Sequence, residues 1–346
     1  MKKRGLIDYA LIWIGAALSL AEIEAGVLCR GQLRAVLLGH AVGFVLLFAM
    51  GLIGGATHRN AMQTTAEAFG NRGAKFFAGL NLLQLIGWTA VMMALGAQAA
   101  ATFFPAIPTF VFCVLIALFA ALWRILNLGD SPRVTYLAVI PLGLLLLILA
   151  GCLTSLTPLA DKPLPVSFST AFLQSLAMPL SWLPLISDYT RDAQRPVATA
   201  AISSLTYTLV STALFVLGLR LAETVASGLL TDAIKLTGLG TVGIFIVVLS
   251  AALSAFFDLY SAGESVRVIE PRLNAKLTGL LVCLIGMILA ATGIRAHYTR
   301  FLTLIAAALT PMALILIVVH YGCSKSHPLL NAILWLLGFA LIIAFE

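Results

Sequence analysis

Apolar residues run along this chain for about twenty positions at a time, separated by short polar intervals. Eleven such segments can be drawn, over about 7–27, 33–56, 76–104, 107–127, 133–153, 168–187, 198–221, 240–263, 277–294, 299–321 and 327–345. A helix of ~20 apolar residues covers the hydrocarbon core of a bilayer, whereas a barrel strand shows only ~10 residues of alternating polarity. The pattern predicts an all-α integral membrane protein, with about 11 transmembrane helices in a single polytopic domain over 1–346. Two intervals depart from it. Thr57 to Lys75 is polar and helix-compatible, and Ala222 to Leu236 is short and amphipathic. Each reads either as an interfacial helix or gate element, or as an ordinary connector.

Composition sharpens this reading. Of 346 residues, 61% are hydrophobic and 10% charged, which no soluble class matches. The net charge of +7 would suggest nucleic acid in a soluble protein, but here the basic residues sit in short loops and report topology. With the N-terminus inside, the inner loops hold Lys2, Lys3, Arg4, Arg59, Arg72, Lys75, Arg124, Arg133, Arg191, Arg195, Arg267, Arg272, Lys276 and Lys325. The outer loops hold Arg30, Arg34, Lys162, Arg220, Lys235, Arg295 and Arg300. This is a bias of 14 to 7 for a cytoplasmic N-terminus, with Glu346 outside. Met1-Lys2-Lys3-Arg4 with Ser19-Leu20-Ala21 mimics a cleavable leader, but the run is long and carries two carboxylates, so an uncleaved span is expected. Cys29, Cys113, Cys152, Cys283 and Cys323 show no paired spacing, so neither a disulfide framework nor a metal site is expected.

Polar residues inside the spans carry the functional signal. The first span contains Glu22 and Glu24. An acidic residue at the membrane centre costs roughly 2.5–3.5 kcal/mol on insertion scales and marks a functional site by default. Gly15, Ser19, Glu22 and Gly26 follow at spacings of 4, 3 and 4 and share a face. A glycine-interrupted helix whose free backbone groups and carboxylate line a cavity is expected here. Glu24 reads as a snorkelling or Arg30/Arg34-paired residue. In the sixth span Pro179 and Pro184 predict a second broken helix, five spans after the first, as two inverted five-helix repeats require. The repeats would cover about 7–153 and 168–321, with an extra helix at 327–345. The third span places Asn81, Gln84 and Trp88 on one face; the eighth places Ser250, Ser254, Asp258, Ser261 and Ser265 on one face. Serine stripes are commonly interhelical hydrogen bonds, whereas the aspartate and indole read as cavity walls. Gly39, Gly43, Gly51 and Gly55 form a packing stripe in the second span. His40 beside it reads first as a satisfied bundle histidine, with proton carriage as the alternative. A cavity of carboxylates, hydroxyls and flat aromatic rings suits a small planar solute bearing N–H groups.

Several of these segments resemble the nucleobase–cation symporter-1 family. They are Asn81 to Met93 with its Gly87-Trp88 core, Ser187-Asp188-Tyr189-Thr190-Arg191, Asp258-Leu259-Tyr260-Ser261-Ala262-Gly263, and Phe301 to Tyr321 with Pro311. Trp13 to Ile23 is most similar to the branch assigned to hydroxymethylpyrimidine, a thiamine precursor. The resemblance implies a LeuT-type five-plus-five inverted-repeat bundle holding substrate between spans one, three, six and eight. It implies that Trp88 stacks on the ring, that Asp258 stands where relatives often have Asn, and that Trp182 is a second wall. It places Asp188 and Arg191 in an inner gate or structural ion pair. Two departures stand out: Met92 where relatives often carry Gln, and Leu253 and Ala252 beside Ser254 where the sodium site expects neighbouring hydroxyls. Gly15, Ser250 and Ser254 are the ion-coupling candidates, and proton coupling through Glu22 or Asp258 stands beside sodium.

The expectation is therefore an ion-coupled importer of a pyrimidine-like solute, hydroxymethylpyrimidine first. The substrate-binding candidates are Glu22, Trp88, Asp258, Gln84, Trp182 and Ser19. Cytosine or purine transport is the alternative; an amino-acid-type transporter or a channel is a more distant one. No organic cofactor, metal or nucleic-acid partner is expected; the partners are a small-molecule substrate and the lipid bilayer, and the oligomeric state stays open. A membrane enzyme would need a constellation such as His-Glu-x-x-His and an ATP-driven pump a phosphate-binding loop, and the sequence has neither.

Overall fold

The computed structural model describes residues 5–127, 132–161, 163–322 and 326–344. Lys2, Lys3, Arg4, Lys162, Cys323, Lys325 and Glu346, which entered the orientation and cysteine readings, lie outside the described residues. Among the described residues are fifteen α-helices: α1 (Leu6–Ala17), α2 (Leu20–Leu28), α3 (Leu33–Thr57), α4 (Ala61–Thr64), α5 (Ala66–Phe103), α6 (Thr109–Ile125), α7 (Pro132–Ser155), α8 (Phe168–Ser181), α9 (Leu183–Thr190), α10 (Pro196–Thr224), α11 (Leu230–Leu236), α12 (Gly240–Ile269), α13 (Ala275–Ala291), α14 (Tyr298–Tyr321) and α15 (Pro328–Ala344).

α3, α5, α10, α12 and α14 are long and apolar enough to cross a membrane, and α1 and α2 together form a span bent by 54°. α6, α13, α15 and the Val139–Ser155 part of α7 are shorter apolar helices. With the broken pair α8 and α9, the eleven expected spans all have helical counterparts. Large apolar side chains such as Leu83, Leu118, Leu147, Phe245 and Leu329 lie exposed on the outside, as contact with lipid requires. The two off-pattern intervals resolve into short helices. Thr57 to Lys75 holds α4 and the start of α5, which kinks at Gly70 (φ 69°, ψ 176°), and the amphipathic stretch from Ala222 ends in α11.

The first span breaks elsewhere than the glycines suggest. Gly15 and Gly26 are helical; the chain leaves the helix at Leu18 (φ −71°, ψ 75°) and Ser19 (φ −130°, ψ 153°). Gly26 serves close packing instead. A Cβ there would run into the Phe215 backbone, and one on Gly218 into the Ile23 carbonyl, so the two glycines let α2 and α10 touch main chain to main chain. The second break falls at Trp182, between the prolines. Pro179 lies in the last turn of α8, and Pro184 in the first turn of α9, where a helix tolerates a residue without an N–H. Three members of the stripe on α3 pack on this broken pair: a side chain on Gly39 would strike Ser175, one on Gly43 Pro179, and one on Gly51 would crowd Ile186; Gly54 beside them lies against Ser187, whereas Gly55 lies against Pro196 at the start of α10. α5 lies along α12, and α10 along α3 and α2, so both breaks sit inside the bundle.

Candidate functional site

The two breaks face a common cavity lined by Ala16, Ser19, Glu22, Leu85, Trp88, Met92, Met178, Ser181, Trp182, Leu185, Ser254 and Asp258. Its volume of about 30 Å³ suits little more than a water, so a ring-sized solute requires the walls to part. Four helical spans supply the walls, each at an irregular or polar point. Ser19 stands at the N-terminus of α2 at the first break without a side-chain capping bond, and Trp182 joins α8 to α9 at the second.

Glu22 is 1% exposed and fully engaged. Its Oε1 accepts from the Tyr207 hydroxyl at 2.7 Å, and its Oε2 lies 2.7 Å from the Ser211 hydroxyl. Neither partner was foreseen. The stripe Ser203, Ser204, Tyr207 and Ser211 on α10 is the signal that could have found them, because it repeats at helical spacing inside an apolar span. Asp258 faces the cavity from α12, with the Thr89 hydroxyl 3.4 Å from its Oδ2. The two carboxylates are therefore held differently: Glu22 by two short hydrogen bonds, Asp258 by one long one.

The aromatic walls are built edge to face. Trp88 packs against Phe301 with centroids 5.3 Å apart and against Tyr298 at 6.2 Å, and its buried indole Nε1 has no hydrogen-bond partner. Trp182 meets Trp13 at 5.4 Å and Phe257 at 6.2 Å. Tyr189 and Tyr207 complete this second cluster around Trp13, at 5.8 and 5.9 Å. Such edge contacts leave an indole face available to a planar ring.

The remaining predicted residues have other neighbours. Gln84 is not among the lining residues; its amide donates to the Ser181 carbonyl at 2.8 Å and to Asn81 Oδ1 at 3.0 Å. It braces the last turn of α8, where the broken helix leaves carbonyl oxygens without helical partners. Ser254 lines the cavity, whereas Ser250 donates to the Leu18 carbonyl at 3.2 Å, the oxygen freed by the first break. Gly15 lies beside Val139 and Phe257. Asp188 and Arg191 do not pair with each other. Asp188 Oδ1 accepts the Ala61 N–H at 2.9 Å, tying α9 to the start of α4. Arg191 reaches Glu264 on α12 at 2.6 Å, and its carbonyl accepts from His58 Nδ1 at 2.7 Å. The counter-ion of Arg191 is therefore Glu264, the residue before Ser265 on α12. Glu24 lies on a second cavity of about 400 Å³, with Gln98, Thr102, Thr109 and Thr231. Among the described residues no cluster of three His, Cys, Asp or Glu is arranged to hold a metal ion.

Residues 2–331 match the family model for permeases of cytosine/purines, uracil, thiamine and allantoin. Among solved structures, the chain is similar to Mhp1, a nucleobase-cation-symport-1 family transporter, in a closed conformation with bromovinylhydantoin bound. The two share 18% identity at a TM-score of 0.74, over 90% of this chain and 77% of that one. It is also similar to the manganese transporter of Eremococcus coleocola (13% identity, TM-score 0.68, 97% of this chain and 85% of that one). A third likeness is to a Na+-coupled sialic acid symporter in a substrate-bound outward-open state (14% identity, TM-score 0.65, 97% and 88%). At these identities the likenesses speak to the LeuT-type fold. No curated protein matches the sequence significantly.

Proposed function

The chain belongs to the permease family for cytosine/purines, uracil, thiamine and allantoin and is a multi-pass membrane transporter, and from this premise we propose that it imports a pyrimidine-like heterocycle, hydroxymethylpyrimidine first, by ion-coupled alternating access. One observation carries the reading. Two helix breaks, two carboxylates and two indoles from four separate spans converge on one buried cavity. Trp88 stacks on the ring, and its buried Nε1–H has no hydrogen-bond partner among the described residues. Glu22 accepts from the amino group or a protonated ring nitrogen, and Asp258 takes the opposite polar edge. Ser19 and Trp182 close the ends, and Gln84 acts through the α8 backbone it braces.

The repeats at about 7–153 and 168–321 rock against one another around this fixed site. Asp188, Arg191, Pro179 and Pro184 belong to the moving inner half, with the N-terminus in the cytoplasm, a placement supported by the Lys/Arg bias. Sodium at the Leu18 carbonyl, Ser250 and Ser254, or a proton, supplies the driving gradient.

The test is uptake of radiolabelled hydroxymethylpyrimidine into cells expressing the chain, with cytosine and thiamine as competitors. Saturable uptake blocked by unlabelled hydroxymethylpyrimidine alone supports the assignment. Block by cytosine moves the substrate to the nucleobases, and no uptake by a membrane-inserted protein rejects hydroxymethylpyrimidine and makes labelled cytosine and purines the next substrates.

A further inference from the structure

The contacts linking Glu22 to a buried histidine on α3 need one proton more than a carboxylate and an Nδ1-protonated neutral imidazole supply. His40 is 1% exposed and sits inside the α3, α8 and α10 packing, its ring edge-on to Phe215 at 4.7 Å. Its Nδ1 lies 3.0 Å from the Val36 carbonyl and 2.8 Å from Ser175 Oγ, while the Ser175 hydroxyl itself donates to Val36 at 2.8 Å. The Val36 carbonyl only accepts and the Ser175 hydroxyl is already turned to it, so the network assigns the hydrogen of a neutral His40 ring to Nδ1 and leaves Nε2 bare. That bare nitrogen is 2.7 Å from Ser211 Oγ, and Ser211 Oγ is 2.7 Å from Glu22 Oε2. Each contact needs a hydrogen between its heavy atoms, yet Ser211 has one to give. Tyr207 already donates to the other Glu22 oxygen and has none to spare.

We propose that Glu22, Ser211 and His40 form a proton site that holds one exchangeable proton beside the cavity, on Glu22 in one state and on His40 in the other. With the proton on Glu22, the carboxyl donates to Ser211 and Ser211 donates to His40 Nε2. When a solute N–H takes up the Glu22 carboxylate, the Glu22 O–H breaks as a Ser211 O–H forms, and the former Ser211 proton makes an N–H on His40. Two hydrogens hop, no electrons are exchanged and the proton total is unchanged. The other titratable groups facing the pair are Tyr207 on α10, Tyr298 on α14, whose hydroxyl donates to the Ala21 carbonyl at 3.1 Å, and Asp258 across the cavity on α12. The arrangement deepens the carrier reading by giving it a built-in place for a coupling proton.

The test uses the full chain in lipid nanodiscs at neutral pH. Infrared spectroscopy reads protonated Glu22 through a carboxyl band lost in Glu22→Gln, and ¹⁵N spectra of labelled histidine, assigned with His40→Gln, read His40. The protonated fraction of Glu22 and the imidazolium fraction of His40 are expected to sum to one. Ionised Glu22 together with neutral His40 in the same sample overturns the proposal. In Ser211→Ala the two signals are expected to titrate independently; a retained joint transition removes Ser211 from the relay and overturns it as well. Adding hydroxymethylpyrimidine is expected to lower the carboxyl band and raise the imidazolium signal together. A sum of one with no response to this probe keeps the proton site and counts against the substrate assignment.

Discussion

Ser250 on α12 donates a hydrogen bond to the Leu18 carbonyl at 3.2 Å, so the first helix break is tied to the helix that also carries Asp258. A backbone oxygen freed at membrane depth needs a donor or a cation, and here a hydroxyl meets that need. If sodium shares this position, Ser250→Ala lowers the apparent sodium affinity of uptake by about tenfold, the equivalent of one hydrogen bond of roughly 1.4 kcal/mol. Uptake measured across a sodium series at fixed pH checks this; an unchanged sodium midpoint removes Ser250 from ion coupling.

Glu22 and Glu24 make a matched pair for mutation. Glu22 is engaged inside the candidate site, and Glu24 lies on the separate cavity with Gln98 and Thr231. Loss of a charged acceptor is worth roughly 1.5–3 kcal/mol. Glu22→Gln is therefore expected to depress hydroxymethylpyrimidine uptake by about 10–100-fold, against less than about threefold for Glu24→Gln. Equal, mild effects would take Glu22 out of the site.

Trp88 separates stacking from simple space-filling. Trp88→Phe keeps an aromatic face and is expected to retain most of the affinity, whereas Trp88→Ala loses about 1–3 kcal/mol of ring contact. A binding isotherm on purified protein gives the comparison, and equal losses in both variants would deny stacking.

Arg191 and Glu264 join α9 to α12 with side chains 22% and 10% exposed. Removing either one leaves a poorly hydrated charge behind. Arg191→Met and Glu264→Gln should each lower the melting temperature in detergent, and the double variant should recover part of the loss. A double-mutant cycle is expected to give a coupling of about 1–3 kcal/mol. Strict additivity would show that the pair contributes nothing.

Gly43 and Gly79 test the packing of α3 on the broken helix. A Cβ on Gly43 would overlap the Pro179 ring, whereas Gly79 has no atom within 4 Å of that position. Gly43→Ala is expected to destabilise by roughly 1–3 kcal/mol, and Gly79→Ala to be neutral or mildly stabilising, as an alanine is in a helix. Thermal unfolding of the two variants side by side decides it.

Much of this protein can be read from local pattern. Continuous apolar runs require helices in a bilayer, because an unpaired backbone has no partner there, and so the spans follow from residue order alone. The same logic exposes Glu22, Asp258, Trp88 and the proline pair, since each is anomalous against its own neighbours. Even so, the first break lies at Leu18 and Ser19 rather than at a glycine, because Gly15 and Gly26 are taken up by helix contacts that no single segment reveals. Partner choice is likewise a property of the packed bundle. Glu22 meets Tyr207 and Ser211 from 185 and 189 residues away, and Arg191 bypasses nearby Asp188 for Glu264, 73 residues on. Hydropathy and spacing act over a few turns of one helix. Which polar atoms satisfy one another across helices is decided only when those helices pack, and the link from Glu22 through Ser211 to His40 is written in the tertiary structure alone.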